Sequence, residues 1–135
     1  MSDKIFIDSN ILIYSIDSND SVKQNIAKNI ITELSNNAII STQVLQEFYN
    51  VVTHKLGCPK DKAKQLVEDI SESFFIHQNS VNDIIHAIEI SIKTSFSFWD
   101  SLIISSAISE ECTILYTEDL NDGQNVEGLT IKNPL

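Results

Sequence analysis

Four carboxylates spread along 135 residues carry the chemical interest of this chain: Asp8, Glu47, Asp100 and Asp119. Asp8 follows the apolar run Ile5-Phe6-Ile7, and Asp119 closely follows Thr113-Ile114-Leu115-Tyr116. Glu47 lies among Val44, Leu45, Phe48, Val51 and Val52; at about 100° per residue it borders that helical stripe, roughly 40° beyond Val51. Asp100 precedes Ile103, Ile104, Ala107 and Ile108 at core-facing helical spacing. An ionised carboxylate there is strongly disfavoured unless a cation or hydrogen-bond donors meet it. Oxygen ligands without histidine or thiolate suit magnesium or manganese, so a converging set would be a site for a hard divalent cation. Each acid also has a plainer reading. Asp8 and Asp119 can cap following helices, and Asp100 can complete a capping box begun by Ser97. Glu47 can lean over the core edge into solvent, and Asp122, just before Gly123, can be a turn residue.

Whether they converge depends on the elements that hold them. Ile5-Phe6-Ile7 reads as a buried strand ending at a strand-to-helix junction, Asp8-Ser9-Asn10. Residues 21–35, with Val22, Ile26, Ile30 and Leu34 four apart, predict an amphipathic helix opened by Asp20 or Ser21. Asn36-Asn37 is a turn and residues 38–41 a second strand. A helix follows from Thr42 to about Leu56, stopped by Gly57-Cys58-Pro59. Another runs from Lys60 to about Ser71, with Ala63, Leu66, Val67 and Ile70 inward. Residues 74–77 form a third strand; Val81, Ile84, Ile85, Ile88 and Ile92 mark a further helix, and the stretch around Asp100 marks the next. Residues 113–116 are a fourth strand and 128–132 a possible fifth at the edge. Strands alternating with helices, the early ones continuously apolar, predict one α/β domain with a parallel sheet covered on both faces. Sites in such sheets form beyond the carboxyl ends of the strands, which puts Asp8 and Asp119 on one edge.

Composition narrows the chemistry. Nine basic residues, all lysine, stand against nineteen acidic ones for a net charge of −10. A broad cationic nucleic-acid surface or arginine forks reading bases are therefore excluded, though metal ions could supply phosphate-facing charge locally. The acidity also suits a basic partner. Three glycines leave no phosphate-cradling loop, and no Gly-x-Ser-x-Gly elbow or Cys/His pair points to covalent acyl transfer. Cys58 and Cys112 lack zinc or disulfide spacing, and the three histidines are scattered. No apolar run reaches the roughly 18 residues of a membrane span, and Met1-Ser2-Asp3-Lys4 does not read as a signal peptide, so a cytoplasmic location is expected.

Four fragments, in order, resemble the PIN-domain family, and within it the VapC-like ribonucleases. They are Ile5-Phe6-Ile7-Asp8-Ser9-Asn10-Ile11-Leu12, Ser41-Thr42-Gln43-Val44-Leu45-Gln46-Glu47-Phe48, Phe98-Trp99-Asp100-Ser101-Leu102-Ile103 and Leu115-Tyr116-Thr117-Glu118-Asp119-Leu120. The resemblance spans nearly all of residues 1–135. It implies a sheet in the order 3-2-1-4-5 and an acidic pocket for one or two Mg²⁺ or Mn²⁺ ions. Asp8, Glu47 and Asp100 match its three core acidic positions, Asp119 the fourth and Asp122 a more variable fifth. Asn10 and Thr117 match the polar residues that support the cluster. Glu118 is a neighbour whose spacing fits less well than that of Asp119. The lack of arginine departs from many members of the family, leaving Lys4, Lys55, Lys60 and Lys93 as candidates for phosphate contacts.

The resemblance implies metal-dependent hydrolysis of RNA phosphodiesters, leaving 5′-phosphate and 3′-hydroxyl ends. Asp8, Asp100 and Asp119 would ligate metal directly, while Glu47 would either bind metal or orient a coordinated water. It also implies the toxin role of a toxin–antitoxin pair, with a cognate antitoxin entering the acidic pocket and a homodimer as a further possibility. Two rivals remain: a catalytically silent PIN-like domain that binds nucleic acid or protein, and a phosphomonoesterase with Asp8 as nucleophile. Asn10, where such esterases usually have a second aspartate, argues against the latter.

Overall fold

The computed structural model describes residues 3–34 and 37–135. Asn36 of the expected turn lies outside them. The elements run β1 (Ile5–Ile7), α1 (Ser9–Ile16), α2 (Ser21–Leu34), β2 (Ala38–Ser41), α3 (Thr42–His54), α4 (Lys60–Ser73), β3 (Phe75–His77), α5 (Val81–Lys93), α6 (Phe98–Ser109), β4 (Ile114–Tyr116), β5 (Asn125–Val126) and β6 (Leu129–Lys132). The sheet order is β3-β2-β1-β4-β6-β5. The first five strands in that order are parallel, with Phe6 opposite both Ile39 and Leu115, and Leu115 opposite Ile131. Phe6, Ile7, Ile40, Leu115 and Ile131 are fully buried, which is why these short strands read as unbroken apolar runs.

The expected order 3-2-1-4-5 holds once β6 takes the fifth place. What the sequence reading lacked is β5, which pairs antiparallel with β6 at the outer edge. The two strands join through Glu127 (φ 51°) and Gly128 (φ 94°), the paired positive φ angles of a two-residue hairpin turn. Asn125 Oδ1 accepts from the Gly128 N–H at 3.0 Å and closes it. Because the turn is Glu-Gly rather than the commoner Asn-Gly, it gave little local signal.

Two helices depart from their expected faces. In α2, opened by Asp20, whose Oδ1 accepts from Lys23 N at 3.1 Å, Ala27 is the buried contact and Val22 is exposed. In α5, Asp83, Ala87 and Ile90 face inward, while Val81, Ile84, Ile85, Ile88 and Ile92 all face solvent, Ile92 at 78% exposure. This apolar stripe is thus uncovered in the single chain. Helix α6 is buried on every side from Ser101 to Ala107, so its serines mark no solvent face. Ser106 Oγ bonds Leu102 O at 2.9 Å and Ser105 Oγ bonds Asp83 O at 3.0 Å. Helix α3 ends at His54, two residues earlier than expected. Gly57 (φ 67°) then reverses the chain, and Cys58 N returns to Val52 O at 2.9 Å.

Candidate metal centre at the carboxyl edge of the sheet

Parallel strands release their following residues on one edge, and β1, β2 and β4 are neighbours, so Asp8, α3 and the Thr117–Asp119 segment emerge side by side. Asp8 N extends the ladder by donating to Tyr116 O at 3.0 Å. The Asp8 side chain caps α1, its Oδ1 accepting from Ser9 N at 2.7 Å, and its Oδ2 accepts from Thr117 Oγ at 2.9 Å. The cap reading and the site reading therefore describe the same carboxylate. Asp119 has no such double role, because no helix follows β4. Its Oδ2 accepts from Asn10 Nδ2 at 3.0 Å.

Thr117 is the hinge of this network. Fully buried, it donates to Asp8 while its oxygen accepts from Asn10 Nδ2 at 3.1 Å and from Asp119 N at 3.2 Å. Asn10 also accepts from Glu118 N at 3.3 Å. These contacts join Asn10 and Thr117 to the two carboxylates and orient the ends of two strands together. Across the cleft, Glu47 Oε1 accepts from Ser9 Oγ at 3.2 Å. Asp100 stands in the first turn of α6, where Ser97 Oγ accepts its N–H at 3.1 Å. Ser97 is thereby the N-cap of α6, and the capping box expected with Asp100 is not completed.

The electrostatics tie the four together. Burial, partly offset by the Ser9 N–H and Thr117, pushes Asp8 up to about 7, and Glu47 and Asp119 add to the rise. Glu47 is raised by burial, then by Asp100 and Asp119, against hydrogen bonds from Ser9 and Gln43. Asp100 is raised by burial and by Asp119. Among the described residues, none of the four pairs with a lysine or histidine. Mutual repulsion without a countercharge fits a site completed by a cation. As placed, no three His, Cys, Asp or Glu side chains of the described residues already form an ion-holding group.

Asp122 behaves differently. It is exposed, and its Oδ1 accepts from Asn133 N at 2.9 Å, pinning the 121–124 turn to the chain after β6. A cleft of about 510 Å³ runs from Ser9, Glu47 and Asp119 past Tyr14 and Asn50 to Lys55. Of the four candidate lysines only Lys55 lines it; Lys4 lines a hollow at the opposite edge of the sheet. Sequence reasoning missed three partners here. Ser9 reaches Glu47, Gln43 bonds it from one turn earlier, and Glu118 is held by Tyr14 at 2.8 Å and by Lys23. Adjacency to Asp8 and the four-residue step before Glu47 were the available signals; the Lys23 pairing, 95 residues apart, left none. Cys112 offers no nucleophile, since burial pushes its thiol up to about 12.

A parallel α/β sheet with an acidic cluster at its carboxyl edge defines a fold suited to metal-assisted chemistry on phosphate. The PIN domain family model matches residues 5–122, and the chain belongs to that family, whose members include nucleases. No curated protein matches it. Among solved structures it is similar to a DNA-bound VapBC complex from Salmonella typhimurium, with a TM-score of 0.75 and 16% identity over 99% of this chain and 100% of the other. A toxin–antitoxin complex from Klebsiella pneumoniae gives 0.73 and 18% over 97% and 98%. VapC20 of Mycobacterium tuberculosis, a toxin that cleaves the sarcin–ricin loop, gives 0.71 and 17% over 85% and 89%. At these identities the likeness is one of fold.

Proposed function

We propose that the protein is a Mg²⁺- or Mn²⁺-dependent endoribonuclease acting as the toxin of a toxin–antitoxin pair. The observation that carries this is the placing of Asp8, Glu47 and Asp119 at one sheet edge, held by Thr117, Asn10 and Ser9 and paired with no lysine or histidine among the described residues. Asp8, Asp100 and Asp119 would hold the ion, and Glu47, steadied by Ser9, either joins them or orients a water. A bound divalent ion supplies Lewis acidity toward phosphoryl oxygens and makes water a stronger nucleophile near neutral pH. Thr117 and Asn10 keep Asp8 and Asp119 aimed, and Lys55 offers a phosphate contact along the cleft. Asp122, tied to Asn133, would enter only if its turn rearranged. No helix of the described residues is long and apolar enough to cross a membrane; the proposed activity belongs in the cytoplasm.

Incubation with single-stranded and structured RNAs, with Mn²⁺ or Mg²⁺ and then with chelator, tests the activity. Cutting that needs metal and stops with chelator is expected. Cutting that continues in chelator, or survives in both Asp8→Asn and Asp100→Asn, overturns the site assignment. No cutting and no metal binding leaves the catalytically silent interaction domain.

Two protein partners accompany this reading. The acidic cleft suits a basic side chain from an antitoxin, a role consistent with the VapBC complexes among the structural neighbours. The outward stripe of α5 suits a second copy of the chain. Its five aliphatic residues, Val81, Ile84, Ile85, Ile88 and Ile92, are all exposed. A stable interface of this kind buries about 1,200 Å² or more in total. Ile88→Glu is expected to convert a dimer to a monomer in light scattering while leaving the fold intact. A wild-type chain that is monomeric at 100 μM removes the dimer proposal.

A further inference from the structure

Gln43 stands on α3 one turn before Glu47 and is 4% exposed. Its Nε2 donates to the backbone carbonyl of Trp99 at 3.0 Å and reaches Glu47 Oε2 at 3.5 Å. Trp99 directly precedes Asp100, so one amide holds both the Glu47 carboxylate and the helical turn that carries Asp100. The amide cannot be turned over, because Oε1 would then face a carboxylate and a carbonyl, two acceptors.

Held this way, Oε1 is buried with no partner, and so is Oγ of Ser101, the residue after Asp100. These are the unpartnered buried side-chain atoms found among the described residues, and both belong to residues flanking the carboxylate site. A buried acceptor left unmet destabilises a fold relative to an apolar side chain of similar shape. The start of α3 does not depend on Gln43 either. Ser41 Oγ caps it by accepting from Val44 N at 3.3 Å, and Asn79 ties Thr42 (3.1 Å) to Ser106 (2.7 Å). The start of α3 therefore stands without Gln43, and both hydrogen bonds of its amide lie beside the carboxylates.

We infer that Gln43 is a positioning residue for the divalent-cation site, setting the separation between Glu47 and Asp100. This rests on the metal-dependent reading above. Its two hydrogens fix two ligand-bearing elements that no other side-chain hydrogen bond joins directly among the described residues. Removing them leaves the carboxylates present but free to spread under their own repulsion.

The test uses the whole chain and Mn²⁺ as the probe. Trp99 is the single tryptophan, is 62% exposed and adjoins Asp100, so quenching by paramagnetic Mn²⁺ reports occupancy, with calorimetric titration as an independent measure. Gln43→Met is expected to melt within a few degrees of wild type or above it in metal-free buffer, and to bind Mn²⁺ about 10-fold more weakly. Gln43→Glu keeps the length but faces Trp99 O and Glu47 with a carboxylate, and is expected to bind at least as poorly. Gln43→Leu is the substitute if the Met variant fails to fold. Wild-type Mn²⁺ affinity in a folded Met or Leu variant overturns the role of Gln43 alone. Absence of Mn²⁺ binding by the wild-type chain overturns the metal reading and this inference with it.

Discussion

Asp8→Asn is expected to abolish RNA cutting and, in metal-free buffer at pH 8, to raise the melting temperature. Asp8 is 5% exposed and its carboxyl is pushed from 3.8 to about 7, chiefly by burial. The folded state therefore holds a proton that the unfolded state releases between those values. The stability this contributes is fully present below about pH 4 and is lost as pH rises through 7. Ionisation of the buried group at pH 8 costs on the order of 4 kcal/mol, which asparagine avoids. Asparagine can still cap α1 and still meet Thr117. The expected gain is roughly 10–15 °C at pH 8, shrinking toward zero by pH 4. Metal reverses the comparison: saturating Mn²⁺ should raise the wild-type melting temperature at pH 8 and leave Asp8→Asn where it was. Activity should fall by more than the 10–100-fold typical of outer ligand partners. A variant that melts lower than wild type in chelator at pH 8 would sink this account of Asp8.

A second large effect lies away from the cleft. His77, at the end of β3, is buried between two carboxylates, with Nδ1 at 2.6 Å from Glu110 and Nε2 at 2.7 Å from Asp83. Asp83 also completes the capping box of α5 with Ser80, and Glu110 ends α6, so one imidazolium fastens a strand and two helices. Burial alone would lower His77, but the bonds to Glu110 and Asp83 outweigh it and hold its pKa above the ordinary value. Asp83, raised by burial, is brought below its ordinary value by the Ser80 N–H and His77. The histidine's contribution is full below about pH 6.5 and is lost as pH climbs through its raised value. That of Asp83 is present above about pH 4 and is lost as pH falls through its lowered one. Thermal melts of His77→Ala should show a loss of about 3 kcal/mol at pH 5.5, because two carboxylates are left without their cation. The difference from wild type should narrow by pH 9. An equal loss at both pH values would mean that packing, not charge, explains it. Taken with Asp8, metal-free protein should be most stable between about pH 4 and 6.5 and weaken toward pH 8.

Much of this was legible in the residues, and for identifiable reasons. Strands buried on both faces leave continuous apolar runs, so β1, β2 and β4 announced themselves, and Gly57 with Pro59 marked the end of α3. Once the strands were parallel, Asp8 and Asp119 had to share an edge. Other features were illegible because their meaning depends on what packs where. The α5 stripe has the spacing of a core face, yet α6 covers the opposite side, where Asp83 and Ala87 sit. The spacing states that a helix exists and not which side finds a neighbour. In α6, Ser106 bonds that helix's own Leu102 carbonyl and Ser105 bonds the carbonyl of Asp83 in α5.

The sequence by itself determined that four acids stand at element ends and face borders in a sheet of parallel strands, without arginine or a nucleotide loop to suggest other chemistry. Only the tertiary structure decided how they meet. Thr117 joins Asp8 to Asn10 and Asp119, Ser9 and Gln43 take hold of Glu47, and Asp100 emerges at the open end of a helix otherwise buried all round. Those contacts link residues up to 109 positions apart. Periodicity reports only neighbours within a few turns. Packing alone could bring carboxylates so far apart in the chain to one edge of the sheet.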